Sequence, residues 1–189
     1  MNEPMNRRAL VGAALTSPLI ATAACAQPAA THDNEAIVRR AYQTAEGNVF
    51  DVPGFIALFA DDAVINLGHA GIGPSAAGND TFRGEHLGDI LHLVARFLPD
   101  VHRVLHRVNV AGDTVAIELS IQGTFSRALE TPAGIVPPTG ARIDAPGADF
   151  WYLRDGKIER FDCYILVNTI YAQMGITPDF ASAVARARG

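Results

Sequence analysis

Pro137-Pro138-Thr139-Gly140-Ala141-Arg142, then Gly147-Ala148-Asp149-Phe150-Trp151, then Asp155-Gly156-Lys157-Ile158-Glu159-Arg160-Phe161-Asp162, is the stretch on which the fold turns. It predicts two strands joined by a tight turn, because Asp-Gly supplies the positive φ angles that a two-residue hairpin turn demands. Asp149 and Asp162 fall on the two strands of this hairpin, each among aromatic and aliphatic neighbours. A shared site for the two carboxylates is the first functional expectation.

Working back from the hairpin, a long connection spans Pro132 to Pro138. Before it, Val115, Ile117, Leu119 and Ile121 alternate with Ala116, Glu118, Ser120 and Gln122, the period of a strand with two unlike faces. Val104, His106, Val108 and Val110 read as one face of the preceding strand, and Gly112-Asp113 as the turn between the two. Further upstream the period becomes helical. Asp33 or Asn34 caps a helix with Ile37, Val38, Ala41, Tyr42 and Ala45 at helical spacing, ended by Gly47. Pro53 opens a short helix through Phe55, Ile56, Leu58 and Phe59. The chain then enters a first strand ending at Asn66-Leu67, with Asp61-Asp62 read as a solvated turn at the helix end.

Residues 68–82 read as a loop rich in Gly, Ala, Ser and Asn, with His69 at its start and without the spacing of a phosphate cradle. Arg83-Gly84-Glu85-His86 opens a third helix, whose apolar face is Ile90, Leu91, Val94, Phe97 and Leu98; Pro99-Asp100 stops it. Beyond the hairpin, Tyr164 to Gly175 leaves the last strand for a short helix. Helices segregated from a run of antiparallel strands define an α+β domain. A curved sheet wrapped against three helices would enclose one apolar cavity, the usual setting for a small-molecule site.

Composition narrows the class. A chain of 189 residues, 49% hydrophobic and 19% charged, has the makings of a packed core and excludes a disordered chain. A net charge of −5, with no basic block longer than an arginine pair, argues against nucleic acid as a partner. Residues 1–26 read as an export signal: Arg7-Arg8, an apolar run from Ala9 to Ala24, and the small-residue site Ala24-Cys25-Ala26. The run is too short and too alanine-rich to favour a stable membrane span. The arginine pair resembles a twin-arginine signal, so the expected location is periplasmic or secreted; Thr22 disfavours a lipid anchor on Cys25. Residues 27–32 then form a linker, 33–176 the domain, and 177–189 a weakly anchored tail. Cleavage after Ala26 leaves Cys163 as the one cysteine, read as a buried, inert thiol.

The order of these elements, with Phe82-Arg83-Gly84, Pro99-Asp100, Gly112-Asp113-Thr114-Val115-Ala116, Pro138-Thr139-Gly140, Asp155-Gly156-Lys157-Ile158 and Gln173-Met174-Gly175, resembles the SnoaL-like polyketide cyclase branch of the NTF2-like superfamily over residues 35–176. That resemblance implies an NTF2-like cone, often paired as a homodimer through the sheet, with no metal or organic cofactor. It also implies aldol-type ring closure on a polyketide ester, with an acid on the last strand as acid/base. Asp162 is the nearest match to that acid. It falls one residue early after the Asp-Gly turn, where a bulge would absorb the slip; Cys163 holds the expected place. Where some cyclases carry a histidine, this chain has Asp149.

A base that removes a proton α to a carbonyl needs a pKa near the working pH, and an apolar pocket raises a carboxyl group towards it. Asp162 is the candidate acid/base, with Asp149 as a coupled partner. Tyr164, two residues on, shares the face of Asp162 and is placed to donate to an enolate oxygen. His106, on a strand with His102, is assigned either to the pocket or to a dimer interface. Tyr42, Phe55, Asn66, His69 and Trp151 are the expected pocket wall. No histidine pair has i, i+4 spacing with a third acidic ligand to match, and no GxSxG elbow occurs. Two classes of function follow: an acid/base enzyme of the cyclase, isomerase or dehydratase kind acting on an apolar carbonyl compound, or a non-catalytic exported module that binds an apolar small molecule.

Overall fold

The computed structural model describes residues 33–46, 49–68, 80–131 and 134–176, with positions 184 and 187 of the tail. The export signal, the linker, His69, Gly47 and most of the tail lie outside the described residues.

Helix α1 (Asn34–Thr44) starts where Asp33 accepts the Ala36 N–H at 2.9 Å, a side-chain cap, and Glu35 pairs with Arg39 one turn on. Its buried stripe is Val38, Ala41 and Tyr42. Helix α2 (Val52–Ile56) is capped in the same way by Asp51, which accepts the Gly54 N–H at 3.0 Å, and Pro53 sits at its second position. Strand β1 (Phe59–Leu67) begins two residues earlier than Asp61-Asp62, so the acidic pair lies within a strand and not in a turn. Both side chains are exposed, the β1 register is irregular between Phe59 and Val64, and Asp62 pairs with Arg154 at 2.9 Å.

Residues 80–83, expected in a loop, form strand β2 (Asp80–Arg83), antiparallel to β1. The third helix is composite: a 3-10 segment, Gly84–Asp89, runs into α3 (Ile90–Ala95). Then come β3 (His102–Ala111) and β4 (Thr114–Thr124). The connection expected to be irregular contains a small ribbon, β5 (Leu129–Thr131) with β6 (Gly134–Val136). The site hairpin is β7 (Arg142–Arg154) and β8 (Lys157–Ile165), followed by α4 (Val167–Gln173). Asp155 and Gly156 have φ of 51° and 75°, the two left-handed residues the Asp-Gly turn predicts.

The six strands run in the order β2-β1-β8-β7-β4-β3. All neighbours are antiparallel except β1 and β8, which run parallel, so the sheet is mixed; it is not closed. Its inner face buries Val115, Ile117, Leu119, Ile121, Trp151 and Phe161 in one core with the stripes of α1 and α3. Among the described residues no helix is long and apolar enough to cross a membrane.

Candidate active site

Register decides which side chains reach the interior. Cross-strand partners share a face, and successive residues alternate. Asp149 pairs with Ile117 on one side and with Cys163 on the other, and Cys163 pairs with Leu67. Ile117, Asp149, Cys163 and Leu67 therefore make one row across four strands on the inner face. The adjacent row faces outward: Phe150 pairs with Asp162, Asp162 with Asn66, and Asn66 with Thr81. The two carboxylates thus lie on opposite faces of the sheet, and the shared site expected for them does not form.

β8 carries a bulge, but it does not absorb the slip that would bring Asp162 inward. Tyr152 pairs with Arg160 and Leu153 with Ile158, which leaves Glu159 as the extra residue. It leaves Asp162 pointing outward and Cys163 inward. There Asp162 accepts from Asn66 Nδ2 at 2.7 Å and lies 3.0 Å from Arg160 Nη2, while that guanidinium covers the Tyr152 ring at 4.0 Å. Asn66, expected on the pocket wall, is part of this outer cluster. Tyr164 shares the Asp162 face, as expected; that face is the outer one, where the side chain is half-exposed beside Phe150.

His106 is also on the outside. It is the extra residue where β3 slips against β4 between Leu105 and Arg107, so the expected face of Val104, His106 and Val108 is broken. Its Nε2 sits 2.7 Å from Ser120 Oγ on the outer face of β4.

Of the expected wall, Tyr42, Phe55 and Trp151 do line the interior cavity, together with Asp149, Cys163 and Arg103. The cavity measures about 50 Å³, room for about three or four waters. Its polar groups form a chain. The Tyr42 hydroxyl donates to Asp149 Oδ2 at 2.6 Å, and Trp151 Nε1–H donates to the Tyr42 oxygen at 3.1 Å. The indole is fixed by a parallel stack on Phe161, with centroids 3.7 Å apart, and by the Tyr42 ring edge at 5.4 Å. Asp149 is 3% exposed, and its Oδ1 has no hydrogen-bond partner of good geometry among the described residues.

Burial dominates the electrostatics. It pushes Asp149 up from 3.8 to about 6, against the opposing pull of the Tyr42 hydroxyl, the nearby Cys163 thiol, the Arg103 charge and the Tyr164 backbone N–H. Burial, then the neighbouring Asp149 charge, drives Tyr42 and Cys163 well above their ordinary values. Cys163 is thus a neutral thiol, and a poor nucleophile in this setting. Sequence reasoning placed Cys163 correctly as buried and missed that it faces Asp149. It missed Arg103 altogether; Arg103 pairs across the sheet with the inward-facing Ile121.

Two expected results follow from this geometry. Tyr42→Phe removes the donor that favours the ionised carboxyl, so Asp149 should titrate higher still, as carboxyl carbon-13 NMR would show; an unchanged or lower midpoint would contradict the hydrogen bond. Asp149 also makes stability depend on pH. The folded form holds its proton up to about 6, whereas the unfolded chain releases it near 3.8. Stability from this group is therefore full below about 4, falls as pH rises through 6, and is lower by about 3 kcal/mol at neutral pH. Asp149→Asn should remove that slope in urea titrations run from pH 4 to 7.

An α+β fold with an apolar pocket around one buried carboxyl defines a small-molecule-binding class, and the comparisons agree. The SnoaL-like domain family matches residues 38–161, about two thirds of the chain, and the chain belongs to that family. IdmH from Streptomyces antibioticus, designated a candidate polyketide cyclase, is 26% identical, with a TM-score of 0.63 over 76% of this chain and 99% of its own. A protein of ketosteroid isomerase-like fold from Catenulispora acidiphila, solved with trimethylamine, is 23% identical, with a TM-score of 0.57 over 75% of this chain and 93% of its own. AclR from Streptomyces galilaeus, designated a candidate hydroxylase, is 18% identical, with a TM-score of 0.59 over 82% of this chain and 92% of its own. No curated protein matches the sequence.

Proposed function

We propose that this domain is an acid/base enzyme of the cyclase, isomerase or dehydratase kind, acting on a small apolar carbonyl compound, with Asp149 in place of Asp162 as the proton carrier. One observation carries the reading: a fully buried carboxyl, raised to about 6, lines an apolar cavity with one oxygen that has no hydrogen bond of good geometry among the described residues. A base so tuned is half-ionised near pH 6, mostly ionised at neutral pH, and desolvated where the substrate's α-carbon would sit. Tyr42 holds one oxygen, which leaves the other to take the proton. The designation of IdmH as a candidate cyclase supports the same class of chemistry.

The test is hydrogen–deuterium exchange at the α-carbons of methyl levulinate, an enolisable keto ester, followed by proton NMR. Wild type and Asp162→Asn should catalyse exchange, and Asp149→Asn should not. Loss of exchange in Asp162→Asn alone would return the role to the outer face. The second reading, binding without turnover, is favoured by the Tyr42–Asp149 hydrogen bond, which occupies the carboxyl without any substrate. Binding of the ester with no exchange in wild type would select it.

Arg7-Arg8 and the apolar run after it support export of the chain; fractionation that leaves the protein in the cytoplasm would refute it. Phe150 and the half-exposed Tyr164 on the outer sheet face support pairing of two copies through the sheet. A monomeric mass by light scattering would contradict that pairing.

A further inference from the structure

Among the described residues, Arg103 is the one cation whose side chain lines the cavity. Its side chain is 12% exposed and forms a long ion pair with the part-exposed Glu46. Nη1 donates to the Ala45 carbonyl at 2.8 Å. Glu46 Oε1 lies 3.7 Å from Nη1, an ion pair longer than a hydrogen bond, and also accepts the backbone N–H of Arg103 at 2.9 Å. Asp149 is felt only through its charge. Nε and Nη2 therefore have no partner among the described residues. A guanidinium carries five donors in a rigid fork, and it stays charged under all ordinary conditions. Glu46 offsets the charge from the Nη1 side, which leaves the Nε and Nη2 edge of the fork with donors for a second anion.

We propose that Arg103 is the anchor for an anionic group on the ligand, so that the substrate is an apolar keto acid and not a neutral ketone or ester. The carboxylate would lie against the Nε and Nη2 edge, where a two-point contact is both strong and directional. The carbonyl end would then reach towards Asp149, since both residues line the same cavity. The inference rests on the proposed site but concerns binding, and it stands or falls without turnover.

The probes are levulinate, a five-carbon keto acid, and its methyl ester, which differ in charge but share the same ketone. Trp151 is the chain's single tryptophan and lines the cavity, so its fluorescence reports occupancy. Wild type should bind levulinate at least tenfold more tightly than the ester. Arg103→Gln should bring the two affinities to within about twofold, chiefly by weakening the acid. Arg103→Lys keeps the charge without the fork and should retain part of the preference. Should Arg103→Gln fail to fold, the wild-type comparison decides alone. Equal affinities for acid and ester, binding of neither, or an undiminished preference in Arg103→Gln would overturn the proposal. Tight acid binding with no deuterium exchange would support Arg103 as the anchor while refuting Asp149 as the base, so the two failures are distinguishable.

Discussion

Asp149→Asn should lower the exchange rate proposed for this site by about 10²- to 10⁴-fold, the range expected when a positioned acid/base group is removed. The amide matches the carboxyl in shape and can still meet the Tyr42 hydroxyl, so the pocket should survive. What it cannot do is accept the substrate's proton. The pH profile adds a second criterion. A base with a pKa of about 6 is mostly protonated at pH 5. Wild-type exchange should therefore rise nearly tenfold per pH unit below that point and level off above it. The residual rate of Asp149→Asn should show no such inflection. A variant that keeps both its rate and its inflection would exclude Asp149 as the base.

Trp151→Ala should be the most damaging single change to stability. The indole is 1% exposed, stacks on Phe161 and meets the edge of Tyr42. Truncation leaves a cavity and removes a parallel aromatic contact, at a cost of about 3–5 kcal/mol. That is a large share of the roughly 5–15 kcal/mol that holds a typical domain together. It also removes the donor that orients the Tyr42 oxygen. Trp151→Phe keeps most of the ring area and should cost clearly less. Urea midpoints followed by circular dichroism would measure both, since neither variant retains a tryptophan. A loss below about 1 kcal/mol in Trp151→Ala would mean that the stack contributes little.

The hairpin, the α+β class and the cavity were legible because each has a local signature. Asp155-Gly156 specifies its turn through backbone angles, and the stripe of Val38, Ala41 and Tyr42 specifies the buried face of α1. The site was legible only in part. Alternation on β8 puts Phe161, Cys163 and Ile165 on one face and Arg160, Asp162 and Tyr164 on the other. That pattern alone assigns Asp162 to the polar side, but family resemblance drew it inward. Trp151 lies two residues after Asp149 and gives the opposite, correct indication for β7. Two signals were beyond a single strand's pattern. The slip at His106 is a two-against-one pairing visible only once β3 lies against β4. Arg103 reads as a surface residue until the end of α1 closes over it with the Ala45 carbonyl.

The Tyr42–Asp149 bond joins residues 107 positions apart, which bears on the order in which the molecule assembles. Hairpins such as β3–β4 and β7–β8 close loops of two residues and can form early. The pocket cannot. Its tyrosine is made near the beginning of the domain and waits for a partner on the penultimate long strand. The parallel pairing of β1 with β8 imposes the same delay, because β1, paired earlier with β2 alone, joins the rest of the sheet only once β8 exists. Occupancy of the polar pair is therefore a late event in folding, and a ligand that requires it would report the completed chain and no intermediate.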